Sequence, residues 1–569
     1  MLKKTINPIE VVKKQISQAI LNAYSKAVEN NELVQCDCLC EVELEIPKES
    51  GFGDFATNFS MKNAKNLRSA PIKIANAIVK YIDFSDTYIE RAEAVNPGFI
   101  NFFVKNNYYG FVLNTIFSHS DSYGKTQTEN PQNIMVEFVS ANPTGPMHMG
   151  NARGGALGDC LAEILLWCGN DVTREFYAND AGNQIMKYFH SLKARYYALA
   201  LNDENYPFPE DGYQGDDVKE HAKAYFEKYG DKYLNVDDDT FFNELLMPAI
   251  RANMARIKTD LETYRINYDV WFNESTLHES NQVKEVVALL EKSGYTYESD
   301  GALWLKSTEF GLEKDDVLMR ANGIFTYFAA DIAYHYNKFI TRGFDRVIDV
   351  WGADHHGHVA RLKGAMSALG IDSERLDIIL MQLVRLVSEG KPVKMSKRTG
   401  KAITLADLLA ETSVDAARFF FNMRAPDSHF DFDLDLAVAE SSQNPVYYVQ
   451  YAHARICSII RLLNSEDKKL ESIENIDTSL LCAQEEKELI TILSQLPQII
   501  CNAARDYNPA LLTGYAADIA SAFHKFYNAC RVNCDDQKLL QARLLLCVCT
   551  AQVLRNTLTI LKISAPEKM

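Results

Sequence analysis

The stretch IMVEFVSANPTGPMHMGNARGGALGD (134–159) decides the reading of this 569-residue chain. Residues 134–140 have the apolar run of a buried strand. Pro143 and Pro146 shape a loop after it, and the small residues Ala152, Gly154, Gly155 and Ala156 fit the start of a helix. A helix beginning there would turn unpaired N–H groups and the positive end of its dipole towards the loop, a setting suited to a triphosphate. His148 and Asn151 can hydrogen-bond phosphate or ribose oxygens, and Gly150 lets a ligand approach the backbone without a Cβ in the way. Far downstream, KMSKR (394–398) supplies Lys394 and Lys397, whose charges suit a departing pyrophosphate.

Outward from this segment the chain alternates between strand and helix. REFYAND (174–180) reads as a second strand and loop. DRVIDVWGADHH (345–356) and LDIILMQLVRL (376–386) continue the pattern up to KPVKMSKRTG. The expected fold is α/β, a Rossmann-like doubly wound parallel sheet split by an insertion at about 190–310, with ligands at the C-terminal strand edges. A dinucleotide enzyme is disfavoured because G-x-G-x-x-G is absent from the first turn. Gly124, Lys125 and Thr126 imitate the end of a phosphate loop, but its first glycine would fall at His119 and no strand leads into it.

Residues 1–115 read as an N-terminal α+β unit. Helices at 8–30, capped by Asn7 and Pro8, and at 62–81 flank strands at 40–47 and 99–104. Lys62, Lys65, Arg68 and Lys73 lie near one face of the second helix, where a solvated surface is the plain reading. The catalytic unit covers 116–400, beginning with a polar linker, and 401–440 connects it to the end. Apolar spacing at 446–463, 509–530 and 539–561 makes 441–569 an all-α helical bundle.

Composition sets limits. Apolar content of 47% and charged content of 24% suit an ordinary globular protein of three or four domains. No apolar stretch approaches the roughly 20 residues of a membrane span, and the N-terminus lacks a signal-peptide core, so the expected location is the cytoplasm. Twelve cysteines without a C-x-x-C pair indicate reduced thiols and no structural metal. Cys36, Cys38 and Cys40 would share one face of the strand at 40–47 and its approach. The net charge of −17 is uneven: residues 1–115 and 441–569 each hold 13 basic and 13 acidic residues. Both ends escape the acidity of the middle, which permits contact with a nucleic acid there.

VEFVSANPTGPMHMGNARGGALGD (136–159) resembles the arginyl-tRNA synthetases, particularly bacterial ones. So do GDFATN (53–58), NPGFINF (96–102), YANDAGNQ (177–184), TYFAADIAYH (326–335), WGADHHGH (351–358), KMSKRTG (394–400) and the tail ending SAPEKM. The likeness implies a class I aminoacyl-tRNA synthetase acting on L-arginine, ATP with Mg²⁺, and tRNA(Arg), as a monomer, with neither DNA nor membrane as partner. It also implies anticodon recognition in the bundle and the N-terminal unit near the tRNA elbow. His148, Gly150, Asn151, Gly352, Asp354, Lys394, Met395 and Lys397 would hold ATP, with His148, Asn151, Lys394 and Lys397 serving catalysis. Glu137, Tyr327 and Asp331 would contact the arginine side chain; Ser140, Asn142 and His355 would lie near its amino and carboxylate end. Asn151 departs from the family, whose first signature usually ends in histidine.

The chemistry also stands apart from the likeness. Glu137 and Asp331 sit beside apolar segments, where a carboxylate needs a positive partner or its pKa rises. A bound guanidinium would supply a two-pronged partner, and an internal arginine such as Arg153 is the alternative. His355, His356 and His358 are too close in one loop to make a closed zinc site. Three rival readings are a class I synthetase for another amino acid, a small-molecule nucleotidyltransferase sharing H-x-G-x, and a non-catalytic tRNA-binding relative. The missing zinc knuckles, the long helical tail, and the intact Lys394 and Lys397 weigh against them in turn.

Overall fold

The computed structural model describes residues 6–47, 50–128, 130–393 and 403–569. Its centre is a five-stranded, wholly parallel sheet of β1 (Asn133–Glu137), β2 (Asp171–Ala178), β3 (Val270–Asn273), β4 (Arg346–Gly352) and β5 (Leu376–Met381). The spatial order is β5-β4-β1-β2-β3. The chain therefore winds one way from β1 through β3 and the other way from β4 to β5. This leaves a topological switch point between the carboxyl ends of β1 and β4, where open α/β sheets bind ligands.

Helix α1 (Gly150–Trp167) packs on the sheet closely because of its glycines. A Cβ on Gly158 would lie 2.2 Å from the Phe138 ring, and one on Gly155 would lie 2.8 Å from Ile266. Helix α2 (Tyr327–Tyr336), capped by the Thr326 side chain, runs into a π turn at Asn337–Thr341. Such turns widen the helix and re-aim side chains.

β3 lies inside the stretch expected as an unbroken insertion at 190–310. Four residues, VWFN, are too few to display a period, so the sheet's edge strand was hidden there. The N-terminal unit also differs from expectation. The helix expected at 62–81 is two, Phe59–Lys62 and Pro71–Tyr81. Proline cannot donate into a continuing helix and biases the residue before it towards extended backbone. Arg68 adopts φ +48° in the break. Residues 40–47 form a single bridge, Glu45 to Ala56, and no strand. Their backbone groups bond instead to side chains: the Cys40 N–H donates to Asn63 Oδ1 at 2.9 Å and Thr57 Oγ1 donates to the Glu43 carbonyl at 2.6 Å. The three early cysteines accordingly share no strand face.

The bundle includes Pro445–Ser465, Gln484–Leu493, α3 (Leu496–Arg505), Ala510–Ala529 and Gln537–Ile560. One core cluster of buried apolar side chains runs from the N-terminal unit through α1 into this bundle. No described helix is long and apolar enough to cross a membrane.

Candidate active site

The strand register creates the site's charge. Asp349 on β4 stands opposite Glu137 on β1, which stands opposite Glu175 on β2. Three buried carboxylates thus lie in one row across the sheet. Like charges on neighbouring strands repel and lose their hydration, so the row needs cations. They come from α2 and its π turn. Lys338, fully buried, donates to Glu137 Oε2 at 2.6 Å and to Asp349 Oδ1 at 2.9 Å. His335 Nε2 lies 2.8 Å from Asp349 Oδ2, and Arg342 and the Tyr334 hydroxyl hold Glu175. Burial raises the Glu137 pKa despite Lys338. Burial also pushes Asp349 up, but Lys338 and His335 outweigh it and leave that carboxyl below its ordinary range. Burial alone would lower Lys338, yet the carboxylates leave its pKa raised.

Beyond Glu137 the chain turns sharply. Val139 and Ser140 have φ +73° and +46°, a left-handed pair that costs roughly 1–3 kcal/mol per residue and is most unfavourable for β-branched valine. The turn folds the Ser140 hydroxyl back to donate to Glu137 Oε1 at 2.8 Å. Glu137, Ser140, Asp331, Gly352, His355 and Tyr177 line a cavity of about 240 Å³ at the switch point.

A second cavity of about 330 Å³ shares Asp331 and Tyr177 with the first, and Asn142, Tyr327, Asn183 and Glu274 complete much of its wall. The Asn183 N–H donates to the Tyr327 hydroxyl at 2.9 Å. Asp331 lies 3.0 Å from His358 Nε2. Burial, aided by the nearby charges of Asp331 and Asp180, pushes Glu274 up to about 7. Among the described residues no Lys or Arg lies within 4.0 Å of either carboxylate; their close basic neighbours are His358 and, at 3.6 Å, His278.

The nucleotide side follows β1. His148 bridges to Thr404, the Met149 N–H donates to the Ile403 carbonyl at 3.1 Å, and the Leu405 N–H donates to the Met147 carbonyl at 2.9 Å. The first signature is thereby tied to the chain that directly follows the second. Lys394, Met395 and Lys397 themselves lie outside the described residues. The start of α1 is less open than expected. The Gly150 N–H donates to His148 Nδ1 at 3.1 Å, and the Asn151 and Ala152 N–H groups donate to the His148 and Met149 carbonyls. Gly352 ends β4, followed by Asp354 and His355, both exposed, with His355 3.6 Å from Asp354.

Arg153 does not serve as the internal partner of an acidic residue. It is buried and donates to the carbonyls of Gln382, Ala425 and Ser428. Glu137 nevertheless has an internal cation, Lys338, which the sequence analysis missed. A signal for it existed: Asp331, His335, Lys338 and Arg342 recur at helical spacing through an apolar run. Glu274 and Tyr177 were missed as well, Glu274 because it falls inside the stretch taken as an insertion.

Known proteins resemble this chain along its length. The model of the class I tRNA synthetase (R) catalytic domain matches residues 112–441, more than half of the chain. The arginyl-tRNA synthetase N-terminal domain matches 10–104, and the DALR anticodon binding domain matches 449–569. An arginine–tRNA ligase of Acetivibrio thermocellus is 53% identical over 563 residues, 99% of this chain and 100% of that protein. A solved putative arginyl-tRNA synthetase from Campylobacter jejuni is 32% identical with a TM-score of 0.74, covering 82% of this chain and all of that one. The Thermus thermophilus arginyl-tRNA synthetase shares the fold at 21% identity, TM-score 0.75, over 98% of this chain and 100% of its own. The fold is that of the class I aminoacyl-tRNA synthetases. Within that class, the chain belongs to the arginyl-tRNA synthetase family.

Proposed function

We propose that this chain joins L-arginine to the 3′ end of tRNA(Arg) through an arginyl-adenylate. The observation that carries this reading is the pair of carboxylates, Asp331 and Glu274, on one cavity without a Lys or Arg of the described chain beside them. A guanidinium is planar, always charged and able to bond two carboxylates at once, as lysine's point charge cannot. Tyr327 and Asn142 would flank it. Glu137 is already paired with Lys338, so it serves the amino end of the substrate with Ser140, a different part from the side-chain contact expected of it.

Arginine's own carboxylate then attacks the α-phosphorus of ATP. Pyrophosphate leaves, and a terminal ribose hydroxyl of tRNA attacks the adenylate carbonyl. No side-chain nucleophile is required, so catalysis is positioning and charge stabilisation. Gly352 and Asp354 would face the adenosine side, and His355 the amino and carboxylate end of arginine. His148, Gly150 and Asn151 would meet the phosphates, joined by Lys394, Met395 and Lys397. ATP arrives as its magnesium complex, the ion keeping mostly water and phosphate ligands. The chain works as a monomer in the cytoplasm, for which light scattering would give one copy of 64.3 kDa.

Amino-acid-dependent ATP–pyrophosphate exchange, with and without tRNA, tests the reading. Exchange with arginine in the presence of tRNA(Arg) is expected. Exchange with another amino acid, or none with arginine and its tRNA, would overturn it.

A further inference from the structure

Most of the twelve cysteines sit alone. Cys160 and Cys547 are fully buried, and burial pushes their thiols up to about 11 and 12. Cys38, Cys40 and Cys482 are exposed. Cys168 and Cys501 differ from both groups. They are 333 positions apart, partly exposed, and brought together where the end of α1 meets α3. Cys168 caps α1, and its Sγ lies 3.9 Å from the carbonyl oxygen of Ile500, the neighbour of Cys501. The Cys501 Sγ lies 3.7 Å from Thr126 Oγ1. The Thr126 N–H in turn donates at 2.8 Å to the carbonyl of Trp167, the neighbour of Cys168. The Cys168 sulfur is thus held against the residue beside Cys501, and the Cys501 sulfur against Thr126, which is bonded to the residue beside Cys168.

We infer that Cys168 and Cys501 are a redox modification site, a dithiol that hydrogen peroxide converts to a disulfide linking the signature helix to the bundle. Hydrogen bonding from Cys168 and Thr126 lowers the Cys501 thiol, which marks it as the attacking sulfur. The Cys501 thiolate attacks one peroxide oxygen and breaks the O–O bond. It becomes a sulfenic acid, and the departing hydroxide takes a proton to leave as water. The Cys168 sulfur, giving up its proton, then attacks the sulfenyl sulfur. The S–S bond forms, the S–O bond breaks and a second water leaves. Two thiols are oxidised by two electrons and one peroxide is reduced to two waters. α1 carries the HMGN signature at its other end, so the link ties the nucleotide-binding element to the anticodon-binding bundle. A protein in a reducing compartment uses such a bond transiently.

The test treats the full chain with stoichiometric hydrogen peroxide, blocks free thiols and maps disulfide peptides by mass spectrometry. A Cys168–Cys501 cross-linked peptide is expected, with an aminoacylation rate lowered at least fivefold and restored by dithiothreitol. Cys168→Ser and Cys501→Ser should each keep the untreated rate and lose both the cross-link and the reversible inhibition. Recovery of Cys168 and Cys501 as free alkylated thiols, while Cys38 and Cys40 are oxidised, would overturn the proposal. So would a rate that is unchanged once the cross-link is complete.

Discussion

Two sets of carboxylates lie within one site, and they differ in who supplies their counter-charge. Glu137, Asp349 and Glu175 form the buried row, where Lys338, Arg342, His335 and the Tyr334 hydroxyl meet them from a single helix and its π turn. Asp331 and Glu274, on the adjoining cavity, have only histidines as close basic neighbours among the described residues. Glu274 is as buried as the row, whereas the Asp331 side chain is about a third exposed. The separation teaches that the row is architecture, which fixes β1 against β4, while the second set is kept short of cations and so has charge to offer a ligand. Asp331 belongs to both neighbourhoods, since α2 carries it one turn before His335 and its carbonyl lies 2.8 Å from His335 Nδ1.

The strongest way to break this division is Lys338→Met. It would leave Glu137 and Asp349 facing each other without a cation, and stranding a buried charge costs about 3–5 kcal/mol. Urea unfolding should show that loss, with part of it recovered by adding Glu137→Gln to the same chain. A loss below about 1 kcal/mol would mean that the row does not depend on Lys338.

How much of this division could be read beforehand depends on the range of the signal. The β1–α1 unit was legible because strand, loop, small residues and phosphate-binding side chains follow one another within 26 residues. Glu137, Tyr327 and Asp331 were legible as acidic or aromatic residues in apolar settings. The identity of each one's partner was not. That Glu137 faces Asp349 depends on a parallel pairing between segments about 210 residues apart, and Lys338 reaches them from the π turn that follows α2. Glu274 was hidden by β3, whose four residues carry no period of their own. The break before Pro71 is a local signal, but Lys62, Lys65, Arg68 and Lys73 also fit one face of a single helix.

On the cavity side the largest expected effect comes from Asp331→Asn. Removing one charge from a guanidinium contact costs about 2–5 kcal/mol, so the KM for arginine should rise by roughly 30-fold or more. The KM for ATP should change only severalfold, as steady-state kinetics at saturating tRNA would show. Equal rises for both substrates would place Asp331 in the architectural set, as the partner of His358.

Glu274 sharpens the comparison through pH. Its folded pKa of about 7 stands above an ordinary carboxyl, so its contribution to stability is complete below about 4.5 and is lost as pH rises through about 7. Arginine needs the ionised form, so binding runs in the opposite sense and must release a proton below that pH. Arginine affinity at fixed tRNA should therefore fall by up to about tenfold for each pH unit below 7. Calorimetric titrations at pH 8, 7 and 6 would show the slope, and Glu274→Gln should flatten it. A slope that survives in that variant would assign the titration elsewhere.

The smallest effect is expected where the two sets touch, at Ser140→Ala. The Ser140 hydroxyl donates to Glu137 Oε1 and accepts from the Tyr177 N–H at 3.3 Å, so its loss removes hydrogen bonds without stranding a cation. A partly buried bond of this kind contributes about 0.5–1.5 kcal/mol. Global stability should fall by no more than that, because Lys338 continues to hold Glu137. The KM for arginine should rise by only about two- to tenfold, since Glu137 Oε1 would be less well oriented at the cavity wall. A stability loss as large as that of Lys338→Met would show that the left-handed turn at Val139 and Ser140 depends on this hydroxyl. The strained backbone would then belong to the architecture of the row and not to the presentation of the substrate.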